Sequence, residues 1–379
     1  MGERGETGSG RKKILVAVLL LASLVLAVHG RSLGHGFVSD DHRLVEASPV
    51  ARTLDPSAHL RSPFWLQWGP YAGYYRPAVT WSYAANRAIG GPGPLGFHLT
   101  NVLLHAAAAI ALFLVVRRFA SLSAALASAA VFAAHPVQAE SVAWISGRTD
   151  VMAALFVLLA TWAHAATAVP ARRLDLLRHA GALSALAAAL LSKETAILFP
   201  IFAVSADLAS ARCEGAAWRD AVRSAGRRAL RLGPGYLAVI AGYLVLRGLV
   251  LGGDQGPAEG RMLDETGIGD ALAAAGPGSR LLAAIAIAAR YLGLAVYPGT
   301  LTFELEMPPS VVVGSALDPR LLLSVLGLAA AAALVVAAAR RIPAALWGGL
   351  VAGGSLGISA LALSGGGIVP SARLLYVPL

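Results

Sequence analysis

Apolar runs of membrane length, separated by short charged connections, recur along the chain. A run of roughly 20 apolar residues is enough to cross a bilayer core about 30 Å thick. The first run follows Arg11-Lys12-Lys13 and reaches about Val28, and a polar stretch over residues 31–96 comes next. Runs then follow quickly over 97–116, 122–134, 151–169, 180–191 and 196–209. Four more cover 236–251, 281–296, 321–339 and 345–363. This pattern predicts an all-α polytopic membrane protein, a bundle of about 9–11 transmembrane helices with a large first external loop. It divides the chain into a cytoplasmic N-terminus with the first helix (1–30), an external loop (31–96) and a multi-span domain (97–379).

Charge sets the expected orientation, because Lys and Arg concentrate on the cytoplasmic side of short loops. The first run resembles a signal peptide, but it is long for one and lacks a clear small-residue cleavage site, so a retained helix is expected. Arg117-Arg118 and Arg172-Arg173 close two spans, and residues 211–231 carry six Arg and two acids. These read as cytoplasmic loops. Residues 252–278 carry five acids and one Arg, and read as external. Beyond them the count fails: if 281–296 and 321–339 both cross, Arg340-Arg341 lands outside. The chain ends at Leu379 soon after a Pro/Gly-rich turn, without a basic tail, which reads as a fragment.

Composition sharpens the class. Of 379 residues, 57% are hydrophobic and only 14% charged. A soluble domain needs far more polar surface, and a disordered chain far less apolar content. The net charge of +10 comes from basic residues scattered among the loops, not from a stripe, so no nucleic acid partner is expected. The single cysteine, Cys213, forms neither an internal disulfide nor a metal motif. No P-loop, dinucleotide fingerprint, zinc-protease motif or hydrolase elbow occurs.

Polar groups at membrane depth are expensive, and each raises a functional question. His98, Asn101 and His105 share one face of a predicted span, facing the bundle, where helix–helix hydrogen bonding is the plainer role. Asp40-Asp41 lies just past the first span. The pair suits a general base with its neighbour, a divalent-cation site, or a helix cap. The segment His135 to Asp150 is unusually polar for a connection between spans and includes Glu140 and Arg148. Those two suit a simple pair. Equally, an interfacial Arg is a natural phosphate clamp, and Arg76 is a second candidate. Lys193-Glu194, at a span end, is a third charged site or a snorkelling pair. Residues 64–83 hold Phe64, Trp65, Trp68, Tyr71, Tyr74, Tyr75, Trp81 and Tyr83, an aromatic group suited to the membrane interface.

Five blocks appear in order: FVSDDH near residue 40, YYRPAVTWSYAANRAIGGPGPLGFHLTNVLLHA (74–106), AAHPVQAESVAWISGRTD (133–150), LSKETAILFP (191–200) and RLLYVP (373–378). Together they resemble the membrane module of the transmembrane-and-TPR-containing O-mannosyltransferases and their bacterial relatives. Those belong to the GT-C class of polyprenyl-phosphate-sugar glycosyltransferases. The resemblance runs from about residue 30 to the end, and block 133–150 is the most specific.

The resemblance implies a GT-C-like helical bundle whose first external loop carries the acidic pair, here Asp40-Asp41. It implies a polyprenyl-phosphate-linked sugar as donor, mannose in the eukaryotic members, and a Ser or Thr hydroxyl on a protein as acceptor. Asp40 and Asp41 are then the catalytic candidates. Arg76, Arg148, Lys193 and Arg373 are the phosphate-binding ones, although Ala372 stands where an acid usually precedes that last Arg. His135, Glu140, Asp150, Glu194, His98, Asn101 and His105 would support them. No cofactor is required, and the acid pair leaves room for a divalent cation. The expected setting is a bacterial inner membrane, with the site on the external or periplasmic face. A lipid-linked sugar transporter or polysaccharide ligase, and a non-catalytic anchor, stay open as alternatives.

Overall fold

A computed structural model describes residues 8–66, 73–167, 173–252, 276–299, 301, 318–364 and 375–376. Arg373, Trp68, Tyr71 and the acidic stretch 254–270 lie outside the described residues. Thirteen α-helices and several short 3-10 or π turns make up the described residues, with no strand among them. They are α1 (Gly8–His29), α2 (Pro56–Leu60), α3 (Pro77–Gly90), α4 (Pro94–Val116), α5 (Leu122–Ala134), α6 (Gln138–Ala143) and α7 (Arg148–Ala166). Then come α8 (Arg173–Leu190), α9 (Phe199–Cys213), α10 (Trp218–Leu251), α11 (Pro277–Val296), α12 (Pro319–Ala339) and α13 (Pro343–Ser364).

Local signals set many of these boundaries. Pro opens α3, α4, α11 and α12, where its missing N–H costs nothing. Ser121 Oγ caps α5 by accepting from Ala124 N, and Asp318 caps α12 by accepting from Arg320 N. Eight helices are long and apolar enough to cross a membrane. Two more pack among them: α5, with 13 residues, and α8, with 18. The chain is a multi-pass, all-α membrane protein.

One expected loop is helical. The Arg-rich stretch forms the first turns of α10, which runs unbroken for 34 residues with Pro234 inside it. Arg and Ala are both strong helix formers, so positive charge and helicity coexist there. At about 1.5 Å per residue α10 is about 51 Å long, so its charged start projects beyond a bilayer core of about 30 Å.

The core is organised around α7. Its span is 72% buried, whereas that of α12 is 6% buried and presents its Leu and Val side chains outward, as a lipid-facing helix does. One apolar cluster joins α1, α4, α5, α7 and α9, and a second joins α7 to α8, α9 and α10. A third packs Leu44, Phe64, Trp65, Tyr83 and Phe97 over Ile145 and Met152 at the N-terminal end of α7.

The charge count after residue 278 resolves in space. Trp347, near the start of α13, packs against Phe119, which follows α4, with tilted rings and centroids 6.1 Å apart. Arg340-Arg341 therefore sits at the same end of the bundle as Arg117-Arg118. At the other end, Arg247 near the close of α10 donates to Gly73 O, and His135 hydrogen-bonds to Ala295 O near the close of α11. Both helices thus finish at the end that holds the acid pair. Residues 253–275, which connect them, lie outside the described residues.

Candidate functional site

The site is built where the segment after α1 meets the N-terminal end of α7. Asp41 is fully buried. Its Oδ1 accepts from Ser146 N (2.9 Å) and Ser146 Oγ (2.6 Å), and its Oδ2 accepts from Val38 N (3.1 Å). Burial pushes its carboxyl above the ordinary carboxylate value, and the bonds from Ser146 and Val38 only partly offset this. Ser39, two residues before, has φ +48°, a left-handed conformation unusual for a residue with a side chain. Asp40 is half-buried on the same turn and is the more accessible of the two acids.

The loop before α7 is pinned from below. Asn101 Nδ2 reaches the carbonyls of Val142, Trp144 and Ile145 at 3.0–3.3 Å. Gly147 is required by close approach: a Cβ there would lie 2.7 Å from Ser141 O and 2.8 Å from Ser141 Cα. Arg148 is fully buried, and its fork serves the protein itself. Nε donates to Asn101 Oδ1 (2.7 Å), Nη2 to Phe97 O (2.9 Å), and Nη1 to Ser82 O and Oγ (3.3 and 3.2 Å). Tyr83 and Phe97 lie against its guanidinium at 4.9 and 5.8 Å. This replaces the Glu140 pairing that the sequence allowed.

One turn further on, Asp150 is ion-paired with Lys193, and both are buried. Beside them Arg76 grips Glu194 with a two-pronged contact, Nε to Oε2 at 3.2 Å and Nη2 to Oε1 at 2.8 Å. Burial works against the charge of Arg76, yet Glu194, with help from Asp150, holds the guanidinium above its ordinary value. Tyr74 and Phe64 lie against the same guanidinium at 4.4 and 5.3 Å. Arg76 thus keeps Nη1, and Lys193 two of its three donors, for other partners.

The structure therefore brings Asp40, Asp41, Arg76, Arg148, Asp150, Lys193 and Glu194 to one end of the bundle. Ser146 and Asp150 are four residues apart, about 6 Å along a helix, so the acid pair and the two ion pairs share one small region. The other predicted residues take separate places. His98 hydrogen-bonds to Gly36 O (3.4 Å), below the acid pair. His105 lies deeper, between Tyr376 OH (2.5 Å) and Ala133 O (3.1 Å). His135 links α5 to α11, and Glu140 is half-buried on α6. The aromatic loop differs from expectation. Phe64, Trp65, Tyr75 and Tyr83 turn inward as core, because their apolar area is worth more buried, while Tyr74 stays half-buried and Trp81 exposed.

Sequence reasoning missed Ser82 and Ser146, which hold Arg148 and Asp41. Small hydroxyl residues beside an Arg in a specific block were the available signal. It also missed Gln138 and Ser141, whose fully buried side chains have no hydrogen-bond partner among the described residues. No cluster of three or more His, Cys, Asp or Glu placed to hold a metal occurs among the described residues.

This geometry defines a class: a polytopic helical membrane protein with a charged, partly buried site at one end of its bundle. Residues 75–216 match the family described as dolichyl-phosphate-mannose-protein mannosyltransferase, so this segment is similar to that family. It is similar to protein O-mannosyl-transferase Tmtc1 of Drosophila melanogaster, 36% identical over 195 residues, 49% of this chain and 22% of that protein. It is also similar to protein O-mannosyl-transferase TMTC2 of Homo sapiens, 36% identical over 157 residues, 38% of this chain and 18% of that protein. The chain thus spans about a fifth of the length of these relatives. No solved structure matches it.

Proposed function

We propose that the protein transfers a mannose-like sugar from a polyprenyl-phosphate donor to a Ser or Thr hydroxyl of a protein, with inversion, on the external face of a bacterial inner membrane. The single observation that carries this reading is the convergence of the acid pair with the Arg76–Glu194 and Lys193–Asp150 pairs at one bundle end. The acceptor oxygen attacks the anomeric carbon, and the bond from that carbon to the phosphate oxygen breaks. The polyprenyl phosphate leaves with the electron pair, and a carboxylate takes the hydroxyl proton.

The two acids divide the work. Asp40 is accessible enough to meet an acceptor and is the base. Asp41, enclosed by three donors, is a positioning residue that fixes the turn carrying Asp40. Lys193 and Arg76 offer their spare donors to the phosphate, whose charge grows as it departs. Their carboxylate partners hold both cations in place before substrate arrives. Arg148 is the strut beneath them, since its guanidinium is committed to Asn101, Phe97 and Ser82. Asp40 and Asp41 would be the residues to hold a divalent cation, which would supply positive charge for the departing phosphate, and added metal or chelator tests for it.

The test is transfer from a labelled polyprenyl-phosphate mannose to Ser/Thr peptides by purified protein. Asp40→Asn should lower kcat by at least about 100-fold with KM little changed, as removal of a base does. Asp41→Asn should lower activity together with thermal stability. Wild-type transfer by Asp40→Asn would remove the base assignment. A wild type inactive with every lipid-linked sugar would favour the transporter or anchor.

A further inference from the structure

The far end of α7 carries a second polar site. A cavity of about 620 Å³ opens between the C-terminal end of α7, α9 and α10. Helix α7 has 19 residues, so this cavity lies about 28 Å from the acid pair, at the opposite end of the bundle. Four guanidinium groups line it, from Arg118, Arg227, Arg228 and Arg231, against two carboxylates, Asp207 and Glu214.

The charges are not balanced within the protein. Arg228 is committed: its Nε donates to Asp207 (2.7 Å), and its Nη groups to Thr167 O (2.8 Å) and His164 O (3.2 Å). His164 also lies 3.2 Å from Asp207. This one carboxylate is therefore already neutralised. Arg118, Arg227 and Arg231 have no carboxylate at ion-pair distance among the described residues. Arg118 is also crowded by Arg178 and Arg117; burial first, and then these like charges, push its guanidinium below its ordinary value. Crowded positive charge around a cavity is unfavourable unless an anion enters.

From this we infer that the cavity is a binding site for a phosphate-bearing anion. Three uncommitted, planar guanidinium forks match the multi-oxygen surface of a tetrahedral phosphate better than a monatomic ion. The volume suits a headgroup-sized ligand. Two sources share this chemistry: the headgroup of an anionic phospholipid in the adjoining leaflet, and a free phosphate or diphosphate from the aqueous side.

Native mass spectrometry on protein taken from vesicles of phosphatidylglycerol and phosphatidylcholine, together with titration of inorganic pyrophosphate, separates the sources. The variants are Arg227→Gln/Arg231→Gln and, as a control of equal charge at the same bundle end, Arg340→Gln/Arg341→Gln. Wild type should retain phosphatidylglycerol or bind pyrophosphate, and the first variant should bind about tenfold more weakly, about 1.4 kcal/mol. The control should match wild type. Saturable pyrophosphate binding that displaces no lipid identifies the aqueous source, and lipid retention without it the headgroup. Equal loss in both variants would show diffuse charge attraction and overturn the site, as would undiminished binding by Arg227→Gln/Arg231→Gln. A thermal melt confirms that each variant is folded.

Discussion

Replacing Gly147 by Ala adds one methyl group at the joint between the Asp41 anchor and α7. Its Cβ would meet Ser141 O at 2.7 Å, Ser141 Cα at 2.8 Å and Ser141 C at 3.0 Å. All three are backbone atoms, so no flexible side chain can yield. Ordinary contact requires a retreat of about 0.6 Å or more, and forced overpacking of this kind costs about 1–3 kcal/mol. The retreat falls on Ser146, whose N–H and hydroxyl hold Asp41 at 2.9 and 2.6 Å. A misplacement approaching 1 Å at reacting groups costs on the order of 100-fold in rate. Gly147→Ala should therefore lower both the melting temperature and the transfer rate. Gly226→Ala is the control, because a Cβ there meets nothing within 4 Å inside α10. It should stabilise by about 0.4–1 kcal/mol and leave transfer unchanged. Melting and transfer are measured on the same detergent-purified samples. Wild-type melting and transfer by Gly147→Ala would refute the reasoning, since the loop would then have room the distances deny.

Three further outcomes follow from the same geometry. Arg148→Leu strands the buried Asn101 Oδ1 and removes the bonds to Phe97 and Ser82, and at about 1–3 kcal/mol for the orphaned group the folded fraction should fall; an unchanged melt would mean that water replaces the fork. Because burial raises the Asp41 carboxyl, the native state holds its proton to a higher pH than the unfolded chain does. That contribution is complete below the ordinary value of 3.8 and is lost as pH rises through the raised native value, so melting scans upward from about pH 4 should show a decline that Asp41→Asn lacks. Parallel slopes would contradict it. Cys213 is the only cysteine, exposed at the arginine-rich end, so an impermeant thiol reagent should label it in inverted vesicles and spare it in intact cells; the reverse pattern would invert the proposed orientation.

The helices were legible because membrane spans announce themselves by length and apolarity. Leu122–Ala134 is one example whose limits the pattern located. The start of α10 was hidden because arginine signals a loop by charge and a helix by propensity, and only packing decides between them. At the site, the membership of the charged group was legible and its pairing was not. Lys193 and Glu194 are neighbours in sequence, yet each reaches a different element, Asp150 on α7 and Arg76 before α3. Arg148 shows the same limit. A buried strut and an exposed clamp have the same letter, and four acceptors from α3 and α4 distinguish them.

The distribution of charge across the bundle gives the proposed chemistry its direction. Arg117-Arg118, Arg340-Arg341 and the arginines of α10 share one end, and positive residues are retained on the cytoplasmic side during insertion. Under the proposed orientation the acid pair faces the external side, where the proposed lipid-linked sugar and a secreted acceptor would meet. At that end Arg76 and Lys193 each sit beside a carboxylate, which keeps a buried charge tolerable without a ligand. At the arginine end Arg118, Arg227 and Arg231 lack such a partner among the described residues. An anion at the first site must therefore share its cations with carboxylates already in place, which suits a phosphate that has to leave. An anion at the second site fills an unmet demand, which suits a ligand that stays.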